Sequence, residues 1–133
     1  MGIDFGERRI GLAISDPEGK VAVPLATLER SNDRAAIREI AEIARREEVG
    51  RLVLGEPVGL DGQRGPNAER VRRFGERLAQ ASGLPVRLVN ESLTTIAAQE
   101  RLREAGVDPR RDPGRIDAVA AQILLQEALD TEG

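Results

Sequence analysis

MGIDFGERRIGLAISDPEG (Met1–Gly19) decides how this chain is read. Gly2 to Phe5 form a short apolar run with one carboxylate inside it, Asp4. Strands that pair and pack in the ordinary way carry charge at their ends, so an acid at this position needs a reason. Arg9 to Ser15 alternate, with Ile10, Leu12 and Ile14 on one face, the period of a half-buried strand. Asp16 to Gly19 has Pro at the second and Gly at the fourth position of a β-turn. Val21 to Leu28 read as a third strand. Three strands this close in sequence make an antiparallel meander.

Beyond the meander, helix and strand alternate. Ser31 or Asn32 caps a helix whose Ile37, Ile40, Ala41 and Ala44 share one face, ending near Gly50. RLVLG (Arg51–Gly55) is a short buried strand. Pro66 to Ser82 form a second helix, stopped by Gly83, and LPVRLVNE (Leu84–Glu91) holds the last strand. Ser92 to Ala105 form a third helix with Gly106 as its stop. The stretch from Gly106 to Arg115 is a polar loop with two prolines, expected to act as a mobile rim, and Ile116 to Leu129 form an apolar closing helix. The order is βββαβαβαα. Right-handed crossovers then give an α/β fold with a mixed five-stranded sheet, a three-strand antiparallel meander plus two parallel strands, flanked by helices. Length predicts one domain over residues 1–133.

Composition narrows the chemistry. The chain has no Cys and no His. Thiolate catalysis, disulfides and zinc–thiolate sites are excluded, and the commonest general base is missing. Hydrolysis would have to rest on carboxylates, hydroxyls, Arg or the single Lys20, and any metal would have to be a hard, oxygen-liganded one. No run approaches membrane-spanning length and no signal peptide precedes the domain, so a cytoplasmic protein without membrane contact is expected. The net charge of -3 does not advertise a nucleic-acid binder. Its distribution is uneven: Arg64 to Arg77 hold five Arg against two Glu, and Arg101 to Arg115 hold five Arg against three acids. Arg suits bidentate phosphate contact, although a GC-rich genome favouring Arg codons gives the same excess.

Three acids can be placed on this frame. Asp4 lies in the first strand, from which the meander and the βα units both build outward. Glu91 lies at the carboxyl end of the last strand, where open α/β sheets place their sites. Asp117 opens the closing helix, and stepping from it gives Ala121, Leu124 and Ala128, an apolar face directed at the core. Each has a plainer explanation: Asp4 as cap of the following turn, Asp117 as complement to a helix N-terminus, Glu91 with Asn90 as cap of the third helix.

GIDFGERRIGLAISDPEG resembles the opening of the YqgF/RuvX-type family, pre-16S rRNA nucleases that are Holliday-junction-resolvase-like. LVLGEPVGLDGQRGPNAERVRRF is similar to that family's strand, its G-x-P-x-x-x-D-G loop and the helix after it. VNESLTTIAA resembles its DERLTT segment, and RIDAVAAQILLQEALD its closing helix. The matching segments run in order over essentially the whole chain. The resemblance implies a ribonuclease-H-like fold, metal-dependent phosphodiester cleavage and maturation of the 5′ end of 16S rRNA, with Asp4, Glu91 and Asp117 as the catalytic and metal-holding acids. Converging carboxylates repel each other strongly unless a cation joins them. Mg²⁺ or Mn²⁺ is expected, as a pair of ions about 4 Å apart with Asp4 shared between them. The same repulsion predicts that Asp117→Asn stabilises the metal-free chain.

Around these acids, Gly6 would let backbone approach a phosphate and Arg9 would contact the scissile strand. The Gly55–Gly65 loop, with Asp61 and Gly62, would flank nucleic acid. Thr94 and Thr95 at a helix start would bind phosphate or serve as ordinary caps. Glu56 and Asn90 are expected as outer ligands. Where the family has Asp-Glu-Arg, this chain has Asn90-Glu91-Ser92: one negative charge and one guanidinium are lost, which is expected to alter metal affinity, RNA affinity or both. Family members also carry a few more residues before the first Asp. The expected partners are pre-16S rRNA, a ribosomal particle, or branched DNA. A resolvase cutting two strands symmetrically needs a homodimer, whereas processing one RNA end needs only a monomer. DFGERRIG is also similar to the phosphate loop of the actin-like ATPases and sugar kinases, but those need two large domains. A third reading is a catalytically idle nucleic-acid- or protein-binding module that keeps the fold.

Overall fold

The computed structural model describes residues 1–6, 8–56, 66–90, 100–106 and 113–132. The strands are β1 (Gly2–Phe5), β2 (Arg9–Ser15), β3 (Ala22–Glu29), β4 (Leu52–Glu56) and β5 (Val86–Asn90). The helices are α1 (Asp33–Arg46), α2 (Pro66–Ser82), α3 (helical residues 100–104) and α4 (Pro113–Glu132). The strands form one sheet in the order β3-β2-β1-β4-β5. β1–β2 and β2–β3 are antiparallel, while β1–β4 and β4–β5 are parallel. The expected βββαβαβαα order and mixed sheet are therefore present.

Local chemistry explains the first turn. Gly19 has φ 70°, a left-handed value that Gly adopts without steric cost, and its N–H donates to the Asp16 carbonyl at 2.9 Å. The Asp16 carboxylate accepts from the N–H groups of Val21 at 3.0 Å and Lys20 at 2.7 Å. Those donors, Val21 first, hold its pKa below the ordinary aspartate value. α1 starts where the sequence placed a cap: the Asn32 side chain accepts from the Ala35 N–H. α2 has the bounds read from Pro66 and Gly83, and Gly83 has φ 72°.

Two apolar layers sit on opposite faces of the sheet. Ile3, Phe5, Ile10, Leu12, Leu52 and Leu54 pack beneath α1 and α2, against Ile37, Ile40, Phe74 and Leu78. Phe5 and Phe74, the chain's two aromatic residues, have ring centroids 4.3 Å apart. On the other face, Ala13, Ala22 and Val53 meet Ala121, Leu124, Leu125 and Ala128 of α4. That layer is thin because its residues are small. α4 also satisfies the start of β3: Gln126 accepts from the Ala22 N–H at 2.9 Å and donates to the Lys20 carbonyl at 2.8 Å.

The closing helix starts earlier than its apolar pattern suggested, at Pro113 rather than Ile116. Pro is well suited to the first helical position because it lacks only an N–H that would find no partner there. Residues 113–115 are therefore helix and not part of a rim loop, and residues 107–112 lie outside the described set. Among the described residues no helix is long and apolar enough to cross a membrane.

Candidate active site

Side chains alternate along a strand, so β1 sends Ile3 and Phe5 to the α1/α2 face and Gly2 and Asp4 to the α4 face. Asp4 is buried, at 9% exposure. Its partner across the β1–β2 ladder is Gly11. A side chain at Gly11 has no room: a Cβ there would lie 1.9 Å from the Asp117 carbonyl oxygen. A Cβ at Gly2 would likewise meet the Ala121 carbonyl at 2.6 Å. These two glycines let the α4 backbone settle directly on β1 and β2, and the turn of α4 that lands on Gly11 carries Asp117. The two acids, 113 residues apart by their numbers, are thus brought to one face of the sheet.

Arg9 completes the cluster. It lies two residues before Gly11, so it shares that face, and its Nε donates to Asp117 Oδ2 at 2.7 Å. The Asp117 side chain is 18% exposed and that of Arg9 36%. Because α4 begins at Pro113, Asp117 falls in its second turn, and the first turn carries no acid. The helix-terminus field decays within the first turn, so complementing the N-terminus does not explain this carboxylate.

Other sequence candidates are placed as follows. Gly6 closes the link between β1 and β2: its N–H donates to the Arg9 carbonyl at 2.9 Å, and a Cβ would come within 2.6 Å of that oxygen. Its carbonyl accepts from Arg30 at 3.2 Å. A side chain at this position would disturb that close approach to Arg9. Asn90 is the last residue of β5, level with Glu56 on β4. Glu91 follows it and lies outside the described residues, as do Asp61, Gly62, Thr94 and Thr95. Glu56 is corrected: it shares the side of Leu52 and Leu54, and its Oε1 accepts from Arg72 Nε of α2 at 3.0 Å. That places it across the sheet from Asp117, not behind it as an outer ligand. Arg9 is found on Asp117, where the sequence had assigned it to the substrate.

Two residues were missed. Gly11 had a signal, since Gly11 and Ala13 are the small positions alternating with Ile10, Leu12 and Ile14, marking a face for close helix approach. Arg30 had none. Its guanidinium lies 4.2 Å from the Phe5 ring centroid and its Nε donates to Asp33 Oδ1 at 2.9 Å.

The donor set is hard: carboxylates and backbone oxygens, with no imidazole or thiolate anywhere in the sequence. Asp4 and Asp117 put two carboxylates on one face of the sheet, a donor chemistry that fits an oxygen-liganded divalent ion. Among the described residues no group of three or more acids is close enough to hold a metal, and the third candidate, Glu91, is not among them.

The family described as "RuvX: Holliday junction resolvase" matches residues 1–131. The chain belongs to the RuvX family. Its curated relatives agree. A protein of Chloroflexus aurantiacus named "Putative pre-16S rRNA nuclease" is 42% identical over 130 residues, covering 98% of this chain and 85% of its own length. A protein of an Anaeromyxobacter species with the same name is 43% identical, covering 98% and 95%. Among solved structures, Thermus thermophilus RuvC in complex with a Holliday junction substrate superposes with a TM-score of 0.63 at 18% identity, covering 98% of this chain and 92% of that one. A second structure of RuvC from the same organism gives 0.58 at 16% identity. These likenesses confirm the RuvC-like, ribonuclease-H-like fold of this RuvX-family chain.

Proposed function

We propose that this RuvX-family protein is a nuclease that hydrolyses phosphodiester bonds with Mg²⁺ or Mn²⁺ and matures the 5′ end of the 16S rRNA precursor. One observation carries the proposal: Asp4 and Asp117 share a sheet face because Gly11 admits the α4 backbone. Asp4, Asp117 and Glu91, the last by its place directly after β5, would hold the ion. The chemistry the ion supplies is Lewis acidity toward water and toward the scissile phosphate.

The chain's own residues do the rest. Asp4 is fixed inside a hydrogen-bonded strand, so its carboxylate does not need to be ordered when substrate arrives. Asp117 is held by the Arg9 guanidinium before any ion is bound. The Arg9 guanidinium, 36% exposed beside Asp117, would also be within its side chain's reach of a substrate phosphate, which its paired N–H groups suit. No side-chain nucleophile is required, in keeping with a sequence without Cys or His. The names of the 42–43% identical relatives support RNA as substrate and, with it, work in the cytoplasm.

The family's description supports a second reading, cleavage of a Holliday junction, for which a homodimer would be needed to cut two strands symmetrically. Incubation with Mn²⁺ and end-labelled 16S precursor RNA, beside a four-way DNA junction, tests both. The expected result is metal-dependent cleavage of the RNA that is lost in Asp4→Asn. Cutting of the junction alone would move the assignment to the resolvase, and no cutting of either would leave a binding module.

A further inference from the structure

The strongest unexplained feature lies across the sheet from Asp4 and Asp117. Between the N-terminus of α1 and the second and third turns of α2 runs a groove of about 620 Å³ that adjoins a second of about 400 Å³. Arg30, Arg34, Arg70, Arg73 and Arg77 line them, against the two acids Asp33 and Glu69. Asp33 is already occupied by Arg30 at 2.9 Å. That leaves four exposed guanidiniums against one carboxylate, in a chain whose net charge is -3. Among the described residues no carboxylate lies within ion-pair distance of any of the four.

Their spacing concentrates the charge. Arg70, Arg73 and Arg77 follow at i, i+3 and i+7, one stripe of α2, and Arg34 faces them from α1. Like charges on neighbouring turns destabilise a helix, and no ion pair among the described residues offsets that cost. The groove is also anchored to the candidate site. Arg30 caps Phe5, the residue after Asp4, and hydrogen-bonds Gly6 at the end of the same strand. α1 follows β3, which runs parallel to β1, so its N-terminus rises from the sheet edge where β1 ends.

We infer that this arginine groove is a track for the sugar–phosphate backbone of a single nucleic-acid strand that crosses the sheet edge from the Asp4–Asp117 site. The strand's identity rests on the nuclease proposal, whereas the track itself rests on the groove. Guanidiniums grip phosphates through paired N–H groups. The apolar floor residue Phe74 is buried at 1% exposure, so no aromatic face is offered to a base and binding is independent of sequence.

The test measures binding of a fluorescein-labelled 20-nucleotide single-stranded RNA by anisotropy, in EDTA, over a range of salt concentrations. Arg70→Gln with Arg77→Gln is compared with Arg45→Gln with Arg46→Gln, which removes the same charge from the far end of α1, where both arginines have acidic neighbours. The groove pair is expected to raise Kd at least about five-fold and to flatten the log–log salt slope by about one to one and a half, since each lost phosphate contact on a single strand is worth about 0.7. The distal pair is expected to change Kd less than about two-fold. Equal losses in both pairs, no loss in either, or no binding by the wild type would overturn the track. A parallel incubation of the wild type with Mn²⁺ separates the two ideas: RNA bound in EDTA but left uncut in Mn²⁺ would refute the nuclease and leave the track standing, while Asp4→Asn is expected to lose cleavage and keep the wild-type Kd.

Discussion

Arg9 Nε lies 2.7 Å from Asp117 Oδ2, joining the start of β2 to the second turn of α4 across 108 residues of chain. The pair sits on the face that Asp4 shares, so a fixed cation already stands at the carboxylate that a divalent ion would use. It also offsets the repulsion that the acids would otherwise feel. An Arg9→Gln variant should therefore lose little metal-free stability, up to about 1 kcal/mol for a part-exposed pair. Its affinity for Mn²⁺ should rise, because the ion no longer competes with a guanidinium, while RNA cleavage falls at least about ten-fold. Calorimetric titration and a cleavage time course check both; a weaker Mn²⁺ affinity would show that Arg9 positions Asp117 without competing for it.

Asp117→Asn keeps the shape of the side chain and removes its charge. From repulsion alone the metal-free chain should gain stability, but a neutral amide also weakens the ion pair with Arg9, which opposes that gain. The expected metal-free change is within about 1 kcal/mol of zero, together with loss of the Mn²⁺-dependent rise in Tm. A variant that keeps the full metal-dependent rise would remove Asp117 from the site.

Gly11→Ala tests the close approach that unites the two acids. Its Cβ would fall 1.9 Å from the Asp117 carbonyl oxygen, a backbone atom that cannot turn aside. α4 must shift, and a loss of about 3 kcal/mol is expected from overpacking. Gly50→Ala, where nothing lies within 4 Å of the added carbon, should stay within about 0.5 kcal/mol of the wild type. Urea denaturation of both variants gives the comparison, and equal stabilities would contradict the close helix–sheet approach.

Arg72→Ala removes a partner of Glu56, whose side chain is 8% exposed. Leaving that charge less compensated should cost about 2 kcal/mol, below the usual penalty for a fully buried pair because Arg72 itself is 31% exposed. The Mn²⁺-induced change in Tm should be unaltered, since this pair lies across the sheet from Asp117. A diminished metal response would restore Glu56 to the site.

Much of the frame could be read from local chemistry. The Asp16–Gly19 turn, the Asn32 cap and the Pro66–Gly83 bounds of α2 each depend on residues within a few positions of one another. The sheet order followed from crossover rules. What could not be read depended on which face a residue takes, or on distance along the chain. LVLGE in β4 is a parallel strand buried on both faces, so it shows no polar–apolar alternation and gives no sign of where Glu56 points. Pro113 serves equally as a loop residue and as the first residue of a helix, which hid three residues of α4. The Arg9–Asp117 pairing has no local signal at all, although Asp117 itself was legible from the apolar positions that follow it at helical spacing.

Anomalous diffraction from crystals grown with Mn²⁺ would examine the metal site most directly. A peak bonded to carboxylate oxygens of both Asp4 and Asp117, with Arg9 displaced from Asp117, is the expected outcome. A peak elsewhere, or none while the Arg9–Asp117 pair stays closed at saturating Mn²⁺, would contradict it.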